Sequence, residues 1–139
     1  MKGRALLFRV LMLLYLAGVA YLCFNNFKSL PSVSRTILGF ETDKVVHFLM
    51  FFPFPIISVW CYSKLPGNFG KAVFRRLDMM VIGAAIAAFT ELVQTKLVYR
   101  SGDFRDWKAD ILALGAASLI SLVIETVLIV RTKRRKKHA

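Results

Sequence analysis

Apolar residues fall along the chain in four long runs, at 5–24, 45–62, 77–98 and 111–130, and most charged residues gather between them. Each run is close to the ~20 residues that a helix needs to cross ~30 Å of hydrocarbon. Hydrocarbon offers no partner to a backbone N–H or C=O, so a segment lying in it must satisfy those groups within a helix. The pattern predicts an all-α polytopic membrane protein, a four-helix transmembrane bundle forming a single membrane domain over residues 1–139. Few polar residues interrupt the runs. The first carries Arg9, the second His47 with Pro53 and Pro55, the third Glu91 and Gln94, and the fourth Glu125.

Composition sharpens this picture. Of 139 residues, 57% are hydrophobic, above the ~45–50% of ordinary soluble domains, and yet the formal net charge is +12. In a soluble chain that charge would suggest nucleic acid. Interleaved with membrane spans it reads instead as a topology signal, and no nucleic-acid partner is expected. Thirteen basic residues fall at the two termini and the middle loop, against seven on the other side. The excess sets both termini in the cytoplasm, as expected of a multi-pass protein of the inner (cytoplasmic) membrane. Six of the eight acids belong to the outer half, leaving Asp78 and Glu125 toward the inside. The basic tail, residues 131–139, acts as a stop-transfer signal attracted to the anionic inner leaflet.

The first run has a basic start and an apolar core, like a signal peptide. No small-x-small site follows it, so a retained helix is expected. Cys23 and Cys61 fall at opposite ends of the bundle in this topology and cannot pair. No Cys-x-x-Cys, phosphate-loop or Gly-x-Ser-x-Gly pattern occurs, and no internal repeat.

Candidate chemistry lies on the outer side. Ionisable groups inside spans cost ~2.5–3.5 kcal/mol at the helix centre on insertion scales and usually face the bundle interior. Asp43 and His47 are four apart on one helical face, and Lys44 is three from His47; Asp43 or Thr42 also suits a helix cap. Pro53 and Pro55 should bend the second span. Glu91 and Gln94 share a face of the third span, behind the small strip at 83–88 that lets helices approach closely. Asp106 and Asp110 are four apart at the start of the fourth span, where acids complement the helix dipole. Arg100 and Arg105 lie beside them, Arg100 suited to pairing with the acids or binding an anion. Short connections place these ends together, so a polar pocket near the outer leaflet is expected. Glu125 is expected to reach the basic tail or to pair across a dimer. Residues 25–42 could form a short interfacial helix.

The order Asp-Lys-x-x-His-Phe (Asp43, Lys44, His47, Phe48), then Glu-x-x-Gln (Glu91, Gln94), then Arg100 with Asp106 six residues on, resembles the VanZ-like membrane proteins. The resemblance covers about 43–117. Where the family usually has Asn and then Gly after that aspartate, this chain has Asp110, with its glycine displaced to Gly115. The family is named for low-level resistance to teicoplanin, a lipoglycopeptide acting on cell-wall precursors. The resemblance implies a bacterial envelope protein with a common pocket, and it implies no particular reaction.

Two functions fit these residues. In the first, the pocket binds an anionic membrane lipid or a lipid-linked cell-wall precursor through Arg100, Lys44 and Arg105, with Asp43, Gln94 and Asp110 also lining it, and so modulates the envelope. In the second, the protein is an enzyme acting on a lipid-linked phosphate, with His47 or Glu91 as general acid or base, Asp106 orienting it and Arg100 stabilising anionic charge. No cofactor is expected. A variant has His47, Glu91, Asp106 and Asp110 hold a divalent metal, though zinc is disfavoured without a two-histidine motif. A homo-oligomer is compatible with either reading, and a transporter would require one.

Overall fold

The computed structural model describes residues 2–25, 36–37, 39–98 and 102–137. The described residues are helical apart from short loops and one hairpin of two two-residue strands. In chain order the elements are α1 (Lys2–Phe24), β1 (Thr36–Ile37), β2 (Phe40–Glu41), α2 (Thr42–Phe51), α3 (Pro53–Cys61), α4 (Phe69–Gln94) and α5 (Phe104–Lys137). Taking α2 and α3 as one interrupted rod, four helical segments are long and apolar enough to cross a membrane.

Their surface agrees with that solvent. Leu6, Leu13, Leu14, Phe74, Val81, Phe89, Leu92, Leu119 and Val123 point outward, while His47, Arg76, Glu91, Asp106, Asp110 and Glu125 are buried. In water this arrangement would expose apolar surface and bury charge. In lipid it places each group in the phase that suits it.

Helix boundaries follow local chemistry. At the start of α4 the Asn68 side chain accepts the Lys71 N–H at 2.9 Å, satisfying one of the free first-turn donors. Asp103 caps α5 in the same way, accepting the Arg105 N–H at 2.8 Å. Helix α4 starts eight residues before the apolar run at 77–98 and stops short of its end, and α5 extends past the run at 111–130 at both ends. Arg75 and Arg76 sit inside α4, and α5 carries four basic residues in its last turn, where cations complement the dipole. The second span breaks at Phe52, because Pro53 and Pro55 supply no N–H to the preceding turn. Side chains from other helices take carbonyls at the break: the Tyr15 hydroxyl donates to Met50, and Arg76 Nη1 donates to Pro55 at 3.0 Å.

Within the stretch expected to hold an interfacial helix, the described residues Thr36–Ile37 and Phe40–Glu41 form a short hairpin. Thr36 pairs with Glu41 and Ile37 with Phe40, turning at Gly39 with φ of 83°, a conformation that favours glycine. Residues 26–35 of that expected helix lie outside the described residues.

The spans alternate in direction. Cys61 Sγ donates to the Phe8 carbonyl and Arg9 Nε to the Cys61 carbonyl, joining the start of α1 to the end of α3. At the opposite end, Gln94 Nε2 donates to the Cys23 carbonyl at 2.9 Å. The two cysteines thus sit at opposite ends and are not bonded to each other.

Helix α5 is the spine against which α2, α3 and α4 pack. Its buried residues, Asp106, Asp110, Ala113, Leu114, Ala117, Ser118, Ser121, Glu125 and Ile129, fall at the three- and four-residue spacings, with two adjacent pairs, that make one helical face. The facing stripe of α4 is Gly83, Ala87, Thr90, Glu91 and Gln94. At Gly83 a Cβ would lie 2.6 Å from Leu114 Cδ2 and 3.1 Å from Phe54 Cδ1. Both neighbours are buried and cannot swing away. Gly83→Ala is therefore expected to cost about 1–3 kcal/mol, read as a lower melting temperature in detergent. Gly115→Ala, whose Cβ meets nothing within 4 Å, should leave the melting temperature unchanged or raise it.

Candidate functional site

Three helix ends meet at the end of the bundle that holds Cys23. Asp43 and His47 come from the first turns of α2, Glu91 from the last turns of α4, and Asp106 and Asp110 from the first turns of α5. His47 is buried at the centre. Its Nδ1 lies 3.2 Å from Asp110 Oδ1 and 3.5 Å from Glu91 Oε1. Its Nε2 faces Asp106 Oδ2 at 4.0 Å. Two overlapping groups of metal-ligating type result, Asp43–His47–Asp106 and His47–Glu91–Asp110, and within each the ligand atoms lie within 4.8 Å of one another. Asp43 is exposed and the other four are buried.

Helical spacing explains the convergence. Asp106 and Asp110 differ by four positions and stack on the buried face of α5. Glu91 belongs to the stripe that begins with Gly83, and the small residues of that stripe bring α4 close enough for its carboxylate to reach His47. The turn before α5 fixes Glu91 in place: the Asp103 N–H donates to Glu91 Oε2 at 3.1 Å. The other oxygen, Oε1, is buried without a hydrogen-bond partner, as is Asp106 Oδ1.

A groove of ≈ 390 Å³ opens beside Glu91 between α4 and α5, lined by Ala88, Leu92, Thr95, Gly102, Phe104 and Trp107. Apart from Glu91 and Asp103 its wall is mostly apolar. Gly102 lets the chain pass close to α4: a Cβ there would lie 2.8 Å from the Glu91 carbonyl oxygen and 2.5 Å from Thr95 Cγ2.

No protein-family model, curated protein or solved structure matches the chain.

Of the residues expected to form a pocket, Asp43, His47, Glu91, Asp106 and Asp110 come together. Lys44, Gln94 and Arg105 do not join them. Lys44 pairs with Glu41 one turn away on the surface. Arg105 is exposed at the start of α5. Gln94 is buried but spends its amide on the Cys23 carbonyl, tying α1 to α4. Arg100 lies outside the described residues. Among the described residues, no lysine or arginine forms an ion pair with Asp43, Glu91, Asp106 or Asp110. The cluster thus joins four carboxylates to one imidazole.

A second buried cluster lies toward the other end of the bundle. Arg76 Nε meets Glu125 Oε2 at 3.1 Å, Arg75 Nη1 approaches Glu125 Oε1 at 3.4 Å, and Arg76 Nη1 also donates to Ser58 Oγ at 2.8 Å. Glu125 therefore finds its partners on α4, rather than in the basic tail or across a dimer. An acid inside an apolar run calls for a cation at matching depth, and that requirement was the signal available for Arg76. In this cluster each charge has an opposite charge within reach, although Arg76 Nε and Glu125 Oε2 make no hydrogen bond. The His47 cluster differs in that its carboxylates outnumber its one imidazole and that Glu91, with its orphaned Oε1, lines a groove.

Chemically, His47 between Asp110 and Asp106 can accept or deliver a proton whichever nitrogen carries it, and Glu91 sits where a group lying in the groove would meet that chemistry.

Proposed function

We propose that this protein is a VanZ-like protein of the bacterial cytoplasmic membrane that engages the polar headgroup of an anionic, phosphate-bearing lipid or lipid-linked envelope precursor at the His47 cluster, and thereby modulates the envelope and its susceptibility to glycopeptides. Both termini face the cytoplasm and the cluster lies toward the extracytoplasmic leaflet. The observation that carries this reading is the pairing of an apolar groove with a buried polar cluster at its inner wall, a combination suited to an amphiphile whose chain rests on Leu92 and Trp107 while its headgroup meets Glu91. The residues on which the VanZ resemblance rests support it too, since Asp43, His47, Glu91 and Asp106 come from three separate helices and meet. Arg100 supplies direct charge to the phosphate.

A second reading makes the same site an enzyme that hydrolyses or transfers a lipid-linked phosphate. The three carboxylates around His47 favour it, because they are the parts that acid–base catalysis requires.

Native mass spectrometry of detergent-purified protein tests the first reading. An anionic phospholipid or lipid-linked diphosphate should remain bound in preference to a zwitterionic lipid, and Arg100→Ala should weaken retention about tenfold or more, as expected for loss of a charged hydrogen bond. Equal retention of both lipid classes would overturn headgroup binding. Phosphate release from the diphosphate that disappears in His47→Ala while the lipid still binds would favour the enzyme.

A further inference from the structure

We propose that His47 Nδ1, Glu91 Oε1 and an Asp110 carboxylate oxygen bind one divalent cation of the manganese–iron–zinc group, with Asp106 holding the imidazole in position. Four observations lead there. The first is charge. Three buried carboxylates, Glu91, Asp106 and Asp110, surround a single imidazole with no described lysine or arginine paired to them, and buried charges persist only when paired or bound to metal. The second is the orphan oxygen. Glu91 is 8% exposed, its Oε2 is held by the Asp103 N–H, and its Oε1 has no partner although it points at His47 Nδ1 from 3.5 Å.

The third is spacing. Donors around an ion with bonds of about 2.0–2.2 Å lie roughly 3.0–3.5 Å from one another, and the separations from Nδ1 to Asp110 and Glu91 are 3.2 and 3.5 Å. The fourth is the far side of the ring. A metal-bound histidine usually directs its other N–H at a carboxylate, and Nε2 faces Asp106 Oδ2. Asp106 is thus a positioning residue and not a ligand. The alternative group, Asp43–His47–Asp106, also has an orphaned oxygen, Asp106 Oδ1, but its Asp43 is exposed and its distance from Nε2 to Asp106 is longer, 4.0 Å.

An imidazole among carboxylates suits manganese, iron or zinc better than magnesium or calcium. Three protein ligands leave coordination positions open, the arrangement of working rather than purely structural sites, and Glu91 places them toward the groove. If the headgroup reading above holds, a phosphate oxygen occupies one of those positions, and the ion explains how an acidic cluster accepts an anion. The ion itself does not depend on that reading.

The test uses full-length protein in detergent, stripped with chelator and titrated calorimetrically with MnCl2 and, separately, ZnCl2. Wild type should take up about one ion per chain. Glu91→Gln and Asp110→Asn should each weaken binding at least a hundredfold, Asp106→Asn about 10–100-fold, and Asp43→Asn less than threefold, all with wild-type helical circular dichroism and elution volume. Absence of binding to wild type at millimolar metal would overturn the proposal. So would loss of binding in Asp43→Asn with Glu91→Gln intact, which would put any ion in the other group. Metal bound with this pattern but no anionic lipid retained would leave the cation site standing and remove the headgroup reading.

Discussion

Glu125→Ala is expected to destabilise the folded protein by about 3–5 kcal/mol, the cost of breaking a buried ion pair by removing one partner. Glu125 is fully buried and Arg76 is 3% exposed. With the carboxylate gone, Arg76 retains only the Pro55 carbonyl and Ser58 Oγ, two neutral acceptors for a full charge. Nor can the guanidinium escape to the membrane surface without giving up its contact with the proline break in the second span. The double variant Arg76→Met, Glu125→Leu removes both charges and should recover most of the loss, because well-packed apolar residues often replace a buried pair at little cost. Arg75→Ala should cost much less, since Arg75 is partly exposed, has the Lys64 carbonyl as a further acceptor, and leaves Arg76 to neutralise Glu125. Reversible denaturant titration in micelles ranks the three variants. If Glu125→Ala melts like wild type, the pair does not tie α4 to α5.

The four long apolar helices were legible from the apolar runs because lipid leaves a long uncharged segment few alternatives to helix. The ends of the spans were not. Arg75 and Arg76 look like loop charges beside a run that starts at residue 77, but arginine is a good helix former and nothing in the chemistry of a membrane boundary ends a helix; Asn68 does that, by capping. Placing Arg76 in a loop also concealed the partner of Glu125. The residues of the His47 cluster were legible because polar groups at one-face spacing near the ends of three adjacent spans have few places to point except toward each other. The partners of Lys44 and Gln94 were not: Lys44 pairs locally with Glu41, and Gln94 reaches a backbone carbonyl of α1, an acceptor that every residue carries and that leaves no trace in the side-chain pattern. The hairpin at Thr36–Glu41 is too short to leave an alternating pattern.

Glu91→Gln should have the opposite signature to Glu125→Ala: greater stability in chelator-treated protein together with loss of function. The two substitutions differ because the two clusters differ in balance. At the Arg76 cluster each charge has its complement, so removing one creates an orphan. At the His47 cluster the carboxylates outnumber the cation, so removing one relieves repulsion. The amide of glutamine fits the existing contacts. Its oxygen can keep the Asp103 N–H that Oε2 now accepts, and its nitrogen would replace the orphaned Oε1, presenting a donor within 4.8 Å of the Asp110 carboxylate. Turning a buried unsatisfied acceptor into a donor beside an anion should gain about 1–3 kcal/mol, read as a higher melting temperature than metal-free wild type. Function should move the other way, by about 10²–10⁴-fold in any turnover that uses Glu91 for proton transfer. Such opposed changes mark a site held in a strained state for function. A lower melting temperature for Glu91→Gln than for metal-free wild type, with the Asp103 contact retained, would show the cluster to be balanced internally, and the open carboxylate at the groove would then have only a structural role.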